Sequence, residues 1–148
     1  MDTREVLLDR LNVTVAQLLN MARSLPQPDR TVSDEWTVKD VLGHITFWHA
    51  SFARNVDDLA HGRTPTPLKG KLGDLNQRGV EESRACTLTE IIARFEAAHE
   101  VIRANILNPA LTLIPYRKGS RDYSPEEHLD IVTKHLEQHV KGLRAALK

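Results

Sequence analysis

Two histidines four residues apart, His135 and His139, lie in the run His135-Leu136-Glu137-Gln138-His139 of this 148-residue chain. On a helix that spacing stacks one imidazole above the other, about 6 Å apart along the axis. Asp130, Lys134, Glu137, Lys141 and Arg144 mark the charged face of the same segment. Both histidines fall away from that face, on the flank of the apolar stripe beside Val132. Two imidazoles on the inner side of a helix are half of a metal site, or else two satisfied core histidines. His44 offers a third ring. It sits roughly 90° from the middle of an earlier apolar stripe, on the same side as Trp48. His44 is seven residues past its helix cap and His135 eleven past its own, so the three would meet at similar depth if the two helices run parallel. Three neutral imidazoles with one open position form the ligand set of a catalytic zinc site. An ion held this way polarises a bound water or a substrate group. Asp40, one turn before His44, would either orient that imidazole as an outer acceptor or cap its helix.

The remaining histidines carry weaker signals. His49 and His99 fall on apolar stripes, the place of core histidines bonded to a neighbour, although either could line a pocket. His128 continues the His135/His139 stripe toward the N-terminus and is expected at the rim. His61 falls in a helix-ending turn and is expected in solvent. Cys86 stands beside a helix N-terminus, which can lower a thiol pKa, yet no second cysteine or local histidine supports nucleophilic work. The sequence contains no phosphate-cradling glycine loop, no serine nucleophile elbow and no paired carboxylates.

Four amphipathic segments would position these groups. The first runs from about Thr3 to Ser24, with Val6, Leu7, Leu11, Val15, Leu18, Leu19 and Ala22 as its apolar face and Pro26 and Pro28 ending it. Trp36 precedes the second and would staple its entry. Thr37 caps that helix, Asp40 completes an Asp version of the capping box, and Val38 to Leu59 supply a broad stripe. A long connection, Gly62 to Ala85, is loop through Gly73; Leu72 to Ser83 is expected as a short helix broken around Gly79. A crossover this long is either functional or a mobile surface loop. Thr87 and Glu90 cap the third segment, which runs to about Leu107, and Leu111 to Tyr123 is a second sizeable loop. In the last segment Ser124 is the N-cap, Pro125 suits the first helical position and Glu127 completes the box. Leu129, Val132, Leu136, Val140, Leu143 and Leu147 form its buried stripe through Lys148. The expectation is an all-α protein: a four-helix bundle of up-and-down type with a long connection between helices 2 and 3, one domain over residues 1–148.

Twenty basic and twenty acidic side chains cancel, which removes the electrostatic case for nucleic acid or an anionic membrane. No apolar run approaches the roughly 20 residues of a membrane span. One cysteine and no signal peptide point to the cytoplasm.

The segment Trp36-Thr37-Val38-Lys39-Asp40-Val41-Leu42-Gly43-His44 resembles the Trp-(Ser/Thr)-x-x-Asp-Leu-x-x-His stretch of the DinB-like four-helix bundles. The ending from Tyr123-Ser124-Pro125 through His135 and His139 is similar to that superfamily's last helix. Asn76 to His99 resembles more particularly the ClbS/DfsB branch. The resemblance covers nearly the whole chain and implies a frequently dimeric bundle. It also implies a divalent ion held by one histidine of the second helix and two of the last, positions that map onto His44, His135 and His139. Imidazole donors suit zinc, nickel, iron and copper alike, with zinc or nickel the first expectation. Relatives include thiol-dependent transferases and isomerases, and the ClbS branch includes a protein that hydrolyses a reactive cyclopropane. Two functions follow as expectations. One is a metal-dependent enzyme acting on a small reactive electrophile by hydrolysis or thiol transfer. The other is a metal-free, ClbS-like binding or self-protection protein whose cavity uses Trp36, Trp48 and tyrosines, with a structural dimer carrying a residual site as the plainest reading. The residues name no substrate, thiol cofactor or catalytic group.

Overall fold

Helix signals in the chain become five helices in its computed structural model, which describes residues 3–25, 28–32 and 36–146. They are α1 (Thr3–Arg23), α2 (Val38–Ala60), α3 (Leu72–Arg84), α4 (Leu88–Asn105) and α5 (Pro125–Ala146). The described residues contain isolated β-bridges but no strand. The class is therefore all-α, with a fifth helix standing in the long connection. Pro26 and Leu147 lie outside the described residues.

Three helices begin at capping boxes. Thr37 and Asp40 exchange side-chain and backbone hydrogen bonds at 3.1 and 3.0 Å, and Thr87 and Glu90 do the same. Ser124 accepts from the Glu127 N–H while Glu127 accepts from the Ser124 N–H. Each satisfies donors that a helix start leaves unpaired.

The inner faces pack as the periodicity predicts. α2 lies against α4 and α3, and α1 lies against α5. Leu18, Ile45, Phe52, Phe95, Ile102, Leu136 and Leu143 are all buried in one core cluster. Val6 departs from expectation: it is 46% exposed, at the edge of the α1 stripe. Leu136, only 2% exposed, is the natural probe of the α5 phase. Truncating it to Ala should cost about 2–5 kcal/mol; an unchanged melting temperature would contradict its place in the core.

Gly79 does not break α3. It lets α3 close on α2, because a Cβ there would lie 2.6 Å from Cγ of Phe47. Gly43 of α2 faces Ser83 with equally little room. Helix propensity favours a break at glycine, but here close packing decides.

Nor are the two long loops loose. Lys118 N–H donates to the Leu68 carbonyl at 2.8 Å, and Arg117 donates to the Gly70 carbonyl at 3.0 Å. Ile114 and Tyr123 pair their backbones in both directions, at 2.8 and 3.0 Å. Arg4 of α1 donates to the carbonyls of Ile106, Asn108 and Leu111 and pairs with Glu126. These bonds tie the segment before α5 to the α2–α3 connection and to α1, and Asn55 of α2 donates to its Pro115 carbonyl at 3.1 Å.

Candidate metal centre and adjoining cavity

α2 contributes His44 and α5 contributes His135 and His139, and their ligand-capable atoms all lie within 4.8 Å of one another. The Nε2 atoms of His135 and His139 approach to 3.0 Å, the consequence of four-residue spacing on one helical flank. Ring centres of His44 stand 5.5 Å from His135 and 5.3 Å from His139. The indole of Trp36 packs against His44 with ring centres 5.1 Å apart, so the residue at the helix entry also touches the cluster.

Burial makes these rings neutral. It lowers the pKa of His44 to about 4, with His139 and His135 adding repulsion. It lowers His139 to about 4, with His135 contributing, and it lowers His135 as well. A neutral ring has one donor and one lone pair, the state a metal requires. Nδ1 of His44 is buried with no hydrogen-bond partner, an arrangement that normally costs free energy. The donor set fits a divalent ion: three imidazole nitrogens, one of these rings carrying an orphaned nitrogen, and no carboxylate.

Asp40 does not orient His44. Its carboxylate accepts from the Thr37 N–H at 3.0 Å and faces the Arg84 guanidinium at 3.4 Å, so the capping alternative describes it. His128 is not at the rim: it is 5% exposed, and its Nε2 donates to the Ile114 carbonyl at 2.8 Å. The loop before α5 folds over it, which helical periodicity cannot register. His61 is exposed as expected, bonded within its turn to Asp57. Cys86 is buried in the core. His49 and His99 are core histidines bonded to each other at 3.0 Å, and His99 also bonds Asn12 at 2.7 Å.

A cavity of about 410 Å³ opens beside the cluster, lined by His44, His135, Trp48, His49, Tyr116, Tyr123 and His128 among others. Tyr116 stacks on Trp48 with ring centres 5.2 Å apart, and Trp48 Nε1–H donates to Asn76 Oδ1 at 2.6 Å. Phe52 stacks on His128 at 5.0 Å. Leu72 and Ile131, both lining residues, are 46% and 47% exposed and give the mouth an apolar edge. Asn12, Asn55 and Asn76 carry no sequence signal for a site, whereas Tyr116 and Tyr123 are the tyrosines expected in a cavity. Their roles depend on loop geometry and on contacts between helices.

Residues 29–109 match the sequence profile of the mycothiol maleylpyruvate isomerase N-terminal domain. Two solved structures share the fold. The crystal structure of a mycothiol-dependent maleylpyruvate isomerase superposes with a TM-score of 0.75 at 10% identity, covering 97% of this chain and 61% of that one. A histidine-to-alanine mutant of a mycothiol-dependent maleylpyruvate isomerase gives a TM-score of 0.73, also at 10% identity over 97% of this chain and 61% of that one. This chain thus spans about three-fifths of the length of the isomerase chains it resembles. No curated protein sequence matches it. No described helix is long and apolar enough to cross a membrane.

Proposed function

This chain belongs to the mycothiol maleylpyruvate isomerase N-terminal domain family, and on that premise we propose that it is a divalent-metal-dependent enzyme bringing a thiol, or water, to a small reactive electrophile. The observation that carries the reading is the convergence of His44, His135 and His139 beside a cavity sized for a small molecule. The three imidazoles would hold one ion, zinc or nickel being well suited to such donors. When bound, the ion supplies Lewis acidity that lowers the pKa of a coordinated water or thiol.

The chain's own residues do the rest. Trp48 and Tyr116, stacked on each other, form an aromatic wall of the cavity, Ile131 and Leu72 keep the mouth apolar, and Trp36 packs against His44. In the transfer the thiol gives up its proton, a sulfur–carbon bond forms at the electrophilic carbon, and the displaced electron pair leaves with the departing group, which takes up that proton. With an α,β-unsaturated carbonyl the displaced pair is the π pair of the double bond; the resulting enolate either takes up the thiol's proton to complete an addition or, in an isomerisation, keeps the pair. After rotation about the former double bond the pair returns, the sulfur–carbon bond breaks, and the expelled thiolate recovers its proton. With water as nucleophile the same displacement is hydrolysis.

The test is consumption of a low-molecular-weight cysteinyl thiol, or cis–trans conversion, with an α,β-unsaturated carbonyl compound. Zinc-loaded wild type is expected to turn over, and His139→Ala is expected to match the uncatalysed rate. Equal rates for the two would contradict the proposal. The aromatic cavity also supports a second reading, the metal-free ClbS-like binding role, which metal content separates from the first. A homodimer is proposed from the family resemblance; sedimentation showing only a 16.7 kDa species at micromolar concentration would contradict it.

A further inference from the structure

The cavity has a second end, away from the metal centre. His128 and Asn55 meet there, each held by one of two successive carbonyls. Nε2 of His128 donates to Ile114 at 2.8 Å, and Nδ2 of Asn55 donates to Pro115 at 3.1 Å. Phe52 of α2 stacks on His128 with ring centres 5.0 Å apart. The two helices run antiparallel, since His44 touches His135 while Phe52 touches His128. His128 precedes His135 by two turns of α5, and Ser51 follows His44 by two turns of α2. Two turns rise about 10 Å, so both helices set the same distance from the histidine trio. Ile45, Trp48, Ile131 and Val132 line the stretch between the two ends, which is apolar and aromatic.

His44, His49, Ser51, Asn55 and His128 are the buried polar side chains of the described cavity wall. The Nδ1 atoms of His44 and His49 are sealed from solvent, so no ligand atom reaches them. The other three residues each keep one polar atom that is neither bonded nor sealed. A carbonyl only accepts, so Nε2 of His128 carries the proton and Nδ1 of the neutral ring is an acceptor. By the same reasoning Asn55 directs its amide nitrogen to Pro115 and keeps Oδ1 as an acceptor. The Ser51 hydroxyl does not bond back to the preceding turn, as Thr46 does to the Leu42 carbonyl at 2.8 Å. Ser51 and Asn55 are 3% exposed and His128 5%, and that small exposure is cavity wall. Among the described lining residues none is Asp, Glu, Lys or Arg. A charged group would lose its hydration there with no side-chain counter-ion to replace it.

We propose that Ser51, Asn55 and His128 form a second subsite, about 10 Å from the histidine trio, that binds the hydroxyl or amide N–H end of an elongated, uncharged ligand. The inference rests on the reading of the cavity as a ligand site and specifies its substrate class. That class has an apolar body, the reacting group at one end and hydrogen-bond donors at the other.

The probes are 4′-hydroxybiphenyl-4-thiol and biphenyl-4-thiol, rigid rods that differ only in the far hydroxyl. Each is titrated calorimetrically, without oxygen, into the zinc-treated full chain and into chelator-treated protein. Wild type should bind the hydroxyl compound about tenfold more tightly, the worth of one hydrogen bond to a buried acceptor. His128→Phe should bind both alike. Ser51→Ala removes only an unbonded hydroxyl, so it leaves the fold intact, and it should cut the preference to about threefold or less. Tyr116→Phe keeps the aromatic wall and removes its other unbonded hydroxyl; the ratio should hold. With zinc bound, 4-mercaptophenol and thiophenol, too short to reach from the ion to the subsite, should bind alike. Equal affinities of the long pair, a preference that survives either His128→Phe or Ser51→Ala, one that vanishes in Tyr116→Phe, the same preference in the short pair, or no binding would each overturn the proposal. Metal content measured on the same samples separates the two readings. Zinc uptake without hydroxyl preference removes this inference alone, and hydroxyl preference without zinc uptake removes the metal-dependent enzyme alone.

Discussion

Replacing His139 with Ala is expected to abolish stoichiometric divalent metal while leaving helix content intact. His139 supplies one of three imidazoles whose ligand atoms lie within 4.8 Å of one another, and its Nε2 sits 3.0 Å from that of His135. Two imidazoles alone would leave an ion mostly to water. Even a lost outer-shell partner costs 10–100-fold in affinity, so loss of a ligand should cost at least about 100-fold. The fold should tolerate the change, because Ala is the best helix former and the side chain is only part-buried. His61→Ala is the control: that ring is exposed in the turn after α2 and bonded to Asp57. Metal loss in both variants, or in neither, would contradict the assignment.

The second large effect is acid lability of the metal-free protein. Burial holds His49 at about 3 and His44, His99 and His139 at about 4, against about 6.5 in an unfolded chain. Between pH 6.5 and 4 the unfolded state therefore binds more protons than the folded state. Stability is fully present above pH 6.5 and falls as pH drops toward the folded values. His128 and His135 are shifted in the same direction. Glu127, held at about 2 by Arg121 and the Ser124 cap, also favours the folded state, but its contribution is lost at lower pH. The melting temperature of chelator-treated protein should thus decline steeply from pH 6.5 to 4, and the decline should be shallower in His49→Phe. A flat profile over that window would show that these rings are not buried neutral.

The sequence reading and the structure part company at loops rather than helices. Capping boxes at Thr37, Thr87 and Ser124 located three helix starts, because they satisfy local, one-dimensional rules. The His44/His135/His139 convergence was legible for a similar reason: helical phase places all three on inner flanks, and only the packing of α2 beside α5 had to be assumed. The course of the segment from Ile106 to Ser124 was not legible. Its path depends on Arg4 gathering three carbonyls and on backbone pairing of Ile114 with Tyr123. Residues distant in sequence settle such contacts. Helical phase puts His128 at the rim, but that segment covers it; Tyr116 is one of the two tyrosines expected in the cavity, and the same segment brings it onto Trp48. Gly79 misled in the opposite sense. Propensity marks glycine as a breaker, whereas the missing Cβ makes room for Phe47. His49 lies in the core, as its place on an apolar stripe predicts, but its link to Asn12 of α1 runs through His99, a contact spanning 87 residues.

Metal content of the wild-type chain is the most direct test of the metal centre. The protein would be purified at neutral pH without immobilised nickel or chelator, then analysed for its elements and titrated with zinc, nickel, iron and manganese. The account predicts about one divalent ion per chain, lost on His139→Ala and retained on His61→Ala. Wild-type protein that takes up none of these ions at neutral pH would contradict it and leave His44, His135 and His139 as a metal-free cluster beside a binding cavity.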